Sequence, residues 1–235
     1  MCGRFFVVHT PDALAQAFGA TLGETVAQMV ASPSYNVAPG QPVLVVRYDR
    51  RHARRSLDAL RWGLIPHFAK DASGAYRCIN ARAETVDTRP SYRAAFEKRR
   101  CLFAVDGFFE WRSEGKTKQP YAIALKTREP FGIAGVWENW KDPNSGEWLR
   151  TCALITTEAN ELVAPVHGRM PAIVRAEDHA RWLGEVPATP AELKAMLQPF
   201  DPHKMDMWPV STRVNTPKND DPSLIEPTTG SPSTG

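Results

Sequence analysis

A chain of 235 residues can bury one sizeable core, and a single domain is expected. Its 43% hydrophobic content includes no run near the roughly 20 apolar residues that a membrane span requires. Net charge is only +3, which neither demands nor excludes a polyanionic partner.

The chain opens Met1-Cys2-Gly3-Arg4, and a small second residue is what methionine aminopeptidase needs to remove the initiator. Processing would leave an α-amine of pKa about 7.7 to 8.0 and a thiol of pKa about 8.5 on one residue. The most direct use of such a 1,2-aminothiol is condensation with an aldehyde, imine first and thiazolidine second. Taken alone, Cys2 reads more readily as a packing cysteine, since the free residue behaves as a small hydrophobe.

Thr10-Pro11-Asp12 interrupts the N-terminal stretch too early for a secretory signal, so a cytoplasmic product is expected. The same residues give a cap, an N1 proline and an acidic first turn, and with Gly19 as a stop they predict a helix over 11–18. The runs 43–48 and 57–62 predict a hairpin, with Arg50, Arg51, Arg54 and Arg55 in its loop at 49–56. Those arginines read as a solvated loop tip in preference to a dedicated phosphate patch.

Further strands are predicted at 101–105, 121–125, 131–136, 150–156, 172–174 and 207–211, with turn residues at 127–130 and 142–146. Helices are predicted at 92–99, 177–183 and 190–197, peripheral to a β core. From Pro217 the composition turns polar, apart from Leu224 and Ile225, and predicts a C-terminal tail over 217–235 after a domain at 1–216. The four cysteines are widely spaced without a C-x-x-C pair, so neither disulfides nor a zinc site is expected, and no cofactor or metal is implied.

Four segments carry polar residues that simple core patterning does not explain. Residues 35–40 (Tyr-Asn-Val-Ala-Pro-Gly) are turn-rich and fit one wall of a cleft. Strand alternation over 78–84 puts Asn80, Arg82 and Glu84 on one face, as any half-exposed strand would. Glu110, flanked by aromatics in 106–111 (Asp-Gly-Phe-Phe-Glu-Trp), is the best acid/base candidate, because apolar surroundings lift a carboxyl pKa. Finally, 156–160 and then His167-Gly168-Arg169 offer a residue that titrates near neutrality and a guanidinium for phosphate.

In this order, with Arg61 to Pro66 between, these segments resemble the SOS response-associated peptidase family from residue 1 to about 215. The resemblance implies an α+β single domain, mainly antiparallel β with a barrel-like core, short peripheral helices and a positively lined DNA cleft. It implies a covalent thiazolidine between processed Cys2 and the ring-opened aldehyde of an abasic site in single-stranded DNA, and a lyase-like enzyme that also removes its own Met1 as a thiol autopeptidase. Asn80 would position the Cys2 nucleophiles, Glu110 would shuttle protons during ring opening, and His167 would assist imine formation and crosslink reversal. Arg4, Arg82 and Arg169 would line the DNA channel, Trp111 would stack or wedge against a base, and Pro39 and Thr156 would make smaller contacts.

Tryptophans common in the family after Pro66 are replaced here by His67-Phe68-Ala69, so stacking there falls to Phe68. Gly168 stands where Asp is common and Phe109 where Tyr is common. Abasic single strands, single-strand/double-strand junctions and the replication machinery are the implied partners, met by a monomer at the nucleoid. Two other readings remain open: a glutamine amidotransferase, which also begins Met-Cys-Gly, and a non-covalent reader of modified cytosine.

Overall fold

The computed structural model describes residues 2–27 and 33–228; Met1 and residues 229–235 of the expected tail lie outside the described residues. In chain order the elements are β1 (Phe5–Val7), α1 (Pro11–Phe18), β2 (Ala20–Leu22), α2 (Glu24–Ala27), β3 (Ser34–Val37), β4 (Pro42–Asp49), β5 (Arg54–Trp62), β6 (Asn80–Arg82) and α3 (Pro90–Lys98). They continue as β7 (Arg100–Val105), β8 (Gly107–Glu114), β9 (Thr117–Leu125), β10 (Phe131–Lys141), β11 (Trp148–Glu158), β12 (Arg169–Pro171), β13 (Ile173–Val174), α4 (His179–Leu183), α5 (Pro190–Ala195) and β14 (Met205–Pro209). The Thr10 hydroxyl accepts from the Ala13 N–H and Gly19 adopts φ 58°, which starts and stops α1 as its sequence dictates.

A ring of five strands, β11–β10–β7–β4–β5, closes through a parallel pairing of β5 with β11 at Thr151 opposite Arg61. Closure leaves no free edge in that ring and accounts for the barrel-like core. Strand β7 is buried at every residue from Cys101 to Val105, because α3 and α4 cover it from outside. A second sheet, ordered β14–β9–β8–β1–β3, crosses one side of the ring. At the crossing, Phe5 packs against Trp62 with ring centroids 5.0 Å apart.

Several boundaries moved from their sequence positions. The hairpin loop shrinks to 50–53, since Arg54 and Arg55 already pair with Asp49 and Tyr48. The predicted strand at 207–211 lies at 205–209, because Ser211 instead caps a 3-10 turn at 212–215. The tail over 217–235 is corrected in its first part: residues 217–228 pack on the second sheet. Leu224 is fully buried among Phe6, Phe109 and Val214, and Asp221 caps a 3-10 turn while pairing with Arg213. Two apolar residues and two anchoring carboxylates, Asp220 and Asp221, suffice to hold a segment whose composition is otherwise polar.

Candidate active site

Strand register brings the N-terminus to Glu110. Phe5 pairs with Phe108, and the Arg4 carbonyl accepts from the Phe109 N–H at 3.0 Å, so residues 2–4 run antiparallel beside 109–111. Cys2 is fully buried there, with its Sγ 4.0 Å from the Arg4 carbonyl oxygen. Burial, and after it the charge of Glu110, pushes the Cys2 thiol well above its ordinary pKa. The thiol is therefore protonated at neutral pH.

Glu110 is 1% exposed on β8, and burial lifts its carboxyl to about 7. Both of its protonation states are populated near neutrality, which suits a proton shuttle. Asn80 begins β6 and donates from Nδ2 to the Cys2 carbonyl at 2.8 Å. Its Oδ1 is buried without a hydrogen-bond partner among the described residues. The residue that binds the Cys2 carbonyl thus keeps an open acceptor, a group able to receive an N–H or S–H.

Strand β6 also links this group to the others. It pairs in parallel with β11, with Thr156 opposite Arg82, and β11 pairs on its other side with β12, with Glu158 opposite Arg169. Arg82 is exposed, while Thr156 is buried, its hydroxyl bonded to the Ala81 carbonyl. Arg169 grips Glu84 with both terminal nitrogens, at 2.6 and 3.0 Å, and donates to the Thr156 carbonyl at 2.7 Å. Glu84 is half exposed, so an anion arriving at this pair displaces a weak partner.

His167 leads into β12 and accepts at Nδ1 from the Arg169 N–H at 3.0 Å, with the Arg169 carbonyl 3.1 Å from the same nitrogen. Burial lowers its pKa, and the charges of Arg169 and Lys118 act in the same direction. The neutral ring with its proton on Nε2 fits this arrangement.

The remaining sequence-derived residues are less concentrated. Arg4 is half-buried, bonded from Nη1 to Asn36 Oδ1 and the Val214 carbonyl, with its guanidinium 5.9 Å from the Trp111 ring centre. Trp111 in turn donates to Asn215 Oδ1 at 2.7 Å. Pro39 sits on the turn after β3, and Phe68 stands 57% exposed with its ring edge-on to His67.

Two residues that hydrogen-bond to these segments escaped sequence analysis. Tyr92 donates to the Asn80 carbonyl at 3.1 Å, and Asn36 ties the segment 214–219 to β3 through its amide. Tyr92 occupies one helical face with Ala95 and Phe96, a pattern that marks a core face and says nothing of its hydroxyl. Asn36 fell within a segment read only as a turn-rich wall. Among the described residues no His, Cys, Asp and Glu group could hold a metal, all four cysteines are free, and no helix is long and apolar enough to cross a membrane.

The model of the family described as SOS response associated peptidase (SRAP) matches residues 1–217. The abasic site processing protein YoqW of Bacillus subtilis is 42% identical over 227 residues, covering 96% of this chain and 99% of that one. The abasic site processing protein HMCES of Gallus gallus is 31% identical over 224 residues, covering 83% of this chain and 66% of that one. A crystal structure of a protein from Bacteroides thetaiotaomicron superposes with a TM-score of 0.87 at 28% identity, covering 97% of this chain and all of the other.

Proposed function

Because the chain belongs to the SOS response associated peptidase family, we propose that it processes abasic sites by capturing them on Cys2. In the chain as encoded, the Cys2 nitrogen is a peptide nitrogen, so removal of Met1 is the activating step. The relatives named as abasic site processing proteins support the substrate class. The observation that carries the mechanism is the meeting of Cys2 with Asn80 and Glu110 in one buried cluster.

An abasic sugar is mostly a closed hemiacetal, so protonated Glu110 first assists ring opening to the aldehyde. The freed Cys2 amine then adds to the aldehyde carbon and water leaves, giving an imine. Asn80 holds the amine and His167 moves protons during this step and its reversal. Because burial keeps the thiol protonated, sulfur does not compete for the aldehyde as thiolate. Ionised Glu110 takes the Sγ proton as the C–S bond forms, and the imine nitrogen gains a proton, closing the thiazolidine. The tether between amine and thiol gives this closure an effective molarity on the order of 10⁵ M or more.

Single strands are the suitable substrate, since an abasic nucleotide within a duplex must first be extruded. Arg82 stands exposed beside that cluster for phosphate, with Arg169 one strand pair away, and Trp111 and Phe68 are the aromatic surfaces available for bases. Peptidase activity is confined in this reading to Met1.

A denaturing gel of the protein mixed with a single-stranded oligonucleotide bearing one abasic site tests the proposal. A heat-stable shifted band is expected, absent from Cys2→Ala, with intact mass showing the parent to lack Met1. A parent protein that forms no shifted band under reducing conditions sinks the crosslinking mechanism. Equal retention of undamaged DNA by the parent and Cys2→Ala, without any covalent species, would favour a non-covalent reader instead.

A further inference from the structure

The arginine-bearing hairpin at 49–54 takes no part in the chemistry above, yet the structure builds it into a shaped surface. Asp49 fixes the tip by accepting from the Arg51 N–H at 2.9 Å and from His52 Nδ1 at 2.6 Å. Arg50, Arg51 and Arg54 are exposed on that tip. Arg100 reaches toward the same place from β7. It is anchored by Nε to the Trp182 carbonyl at 2.6 Å and by Nη1 to the Phe96 and Glu97 carbonyls at 2.8 Å each.

The terminal nitrogens of Arg100 and Arg50 converge on Gly184, which follows α4. A Cβ placed there would lie 3.2 Å from Arg100 Nη2 and 3.5 Å from Arg50 Nη2. Two guanidinium groups, that of Arg100 anchored, thus lie together in the wall of a cavity of about 780 Å³, which Tyr48 and Arg93 also line. Of the carboxylates there, Asp87 is engaged by Lys194 and Glu185 by Arg55, leaving Glu97. A second cavity of about 590 Å³ shares Tyr48 and Arg50 and continues past Arg51 and Arg54 to Arg150. Its Asp58 is paired with Arg47 and its Asp49 is spent on the tip, leaving Glu24.

This surface is distant from Cys2 along β5 but joined to it around the barrel. Arg54 and Trp62 are the ends of β5, about 26 Å apart at about 3.3 Å per residue. By the other route, Glu84 bonds Arg169 beside the site, and Asp87, three residues on, already lines the first cavity. Cations strung along two connected concavities match an extended polyanion better than a compact one.

We propose that this face is a second binding surface for a nucleic-acid sugar-phosphate backbone, engaged by the strand that leaves the Cys2 site past Arg82 and Arg169. The identity of the polyanion rests on the reading given under the proposed function; the surface itself does not. Like charges that lie together here are stabilised when phosphates come between them, and the contact adds affinity without reading sequence.

The test uses undamaged single-stranded oligonucleotides of two lengths, one covering only the Cys2 site and one several times longer, titrated across a salt series. The triple variant Arg50→Ala, Arg51→Ala, Arg54→Ala changes only exposed side chains. It is expected to bind the long oligonucleotide about tenfold more weakly, with a salt slope smaller by about two, at about 0.7 for each phosphate no longer neutralised. Binding of the short one, and crosslinking of a short abasic oligonucleotide, should be unchanged. Unaltered long-strand affinity and slope in the variant overturn the proposal, as they would if the surface served an acidic protein. Equal competition by inorganic phosphate against both lengths also overturns it. A length-dependent loss without any abasic crosslink in the parent would keep this surface and remove the Cys2 mechanism, whereas normal crosslinking without length dependence would do the reverse. A parent that binds neither length removes both.

Discussion

Two asparagines, both near the N-terminal segment, are used in opposite ways. Asn36 is saturated: its Oδ1 accepts from Arg4, and its Nδ2 faces the carbonyls of Val214, Thr216 and Asn219 at 2.8 to 3.2 Å. Asn80 donates once, to the Cys2 carbonyl, and keeps a buried Oδ1 with no partner among the described residues. A buried polar group left open lowers stability, and a group that arrives to fill it recovers that cost. On the proposed mechanism, saturation at Asn36 serves the architecture, and the open acceptor at Asn80 serves Cys2.

The sharpest way to break this contrast is to truncate both residues. Asn36→Ala removes the amide donor shared by three carbonyls, leaving that of Asn219 without a side-chain partner while Val214 keeps Arg4 and Thr216 keeps the Asn219 N–H, and strips Arg4 of one acceptor. It is expected to cost about 2 to 4 kcal/mol, a fall in Tm on the order of 10 °C. Asn80→Ala loses one hydrogen bond and also removes an unsatisfied atom, so its stability should change by less than about 1 kcal/mol. Its crosslinking rate should nonetheless fall at least about tenfold, since the Cys2 nucleophile loses its guide. Thermal unfolding and single-turnover crosslinking read the two quantities. Equal melting losses for the two variants would dissolve the distinction.

Glu110 extends the contrast to charge. Its folded pKa of about 7 lies above the ordinary 4.5, so between those values the folded chain holds a proton that the unfolded chain has released. Stability must then fall as pH rises from about 4.5 to 7, with the full penalty, on the order of 3 kcal/mol, present above 7. Glu110→Gln should remove that part of the pH dependence and be the more stable protein at pH 8, while crosslinking slows by about a hundredfold or more for want of a shuttle. Denaturant melts at pH 5 and pH 8 check the sign, and a variant less stable than the parent at pH 8 contradicts the burial argument.

The sequence carried different parts of this picture unequally. Helix α1 was legible to the residue because its cap, proline and glycine act locally. The ring of strands was legible as strands but not as a ring, since the parallel contact of Thr151 with Arg61 spans about ninety residues and leaves no local trace. Glu110 stood out because aromatics flank it in sequence, whereas Asn80, on a face that alternation alone leaves ordinary, drew its role from the family resemblance. Tyr92 and Asn36 did not stand out, because what they do depends on carbonyls from distant segments. The arginines of the hairpin were visible, but Arg100, whose anchored guanidinium lies near Arg50 at Gly184, is fifty residues on.

Residues 217–228 offer a smaller test on the architectural side. Leu224 is fully buried between the second sheet and the segment that Asn36 secures. Leu224→Ala should cost about 2 to 3 kcal/mol through reduced burial and a residual cavity, and leave the crosslinking rate of the folded protein unchanged. A melting temperature equal to that of the parent would return this stretch to the status of a tail.

The smallest effect falls between the two classes and so defines their border. Tyr92 is buried on α3, and its hydroxyl donates to the Asn80 carbonyl at 3.1 Å, on the backbone side of the residue whose amide reaches Cys2. Burial, and after it the neighbouring Cys78, pushes the phenol far above its ordinary pKa, so it remains a donor across the working pH range. Tyr92→Phe keeps the ring and its packing and removes one hydrogen bond, which is worth about 1 kcal/mol. If Tyr92 only fills space, that loss appears in the melt and nowhere else. If it positions Asn80, crosslinking should slow by about threefold to tenfold with the pH profile unshifted, because the shuttle at Glu110 is untouched. Doubling the variant with Asn80→Ala separates the cases, since a positioning role predicts no further loss of rate once Asn80 is gone, and additive losses would place Tyr92 with the architecture.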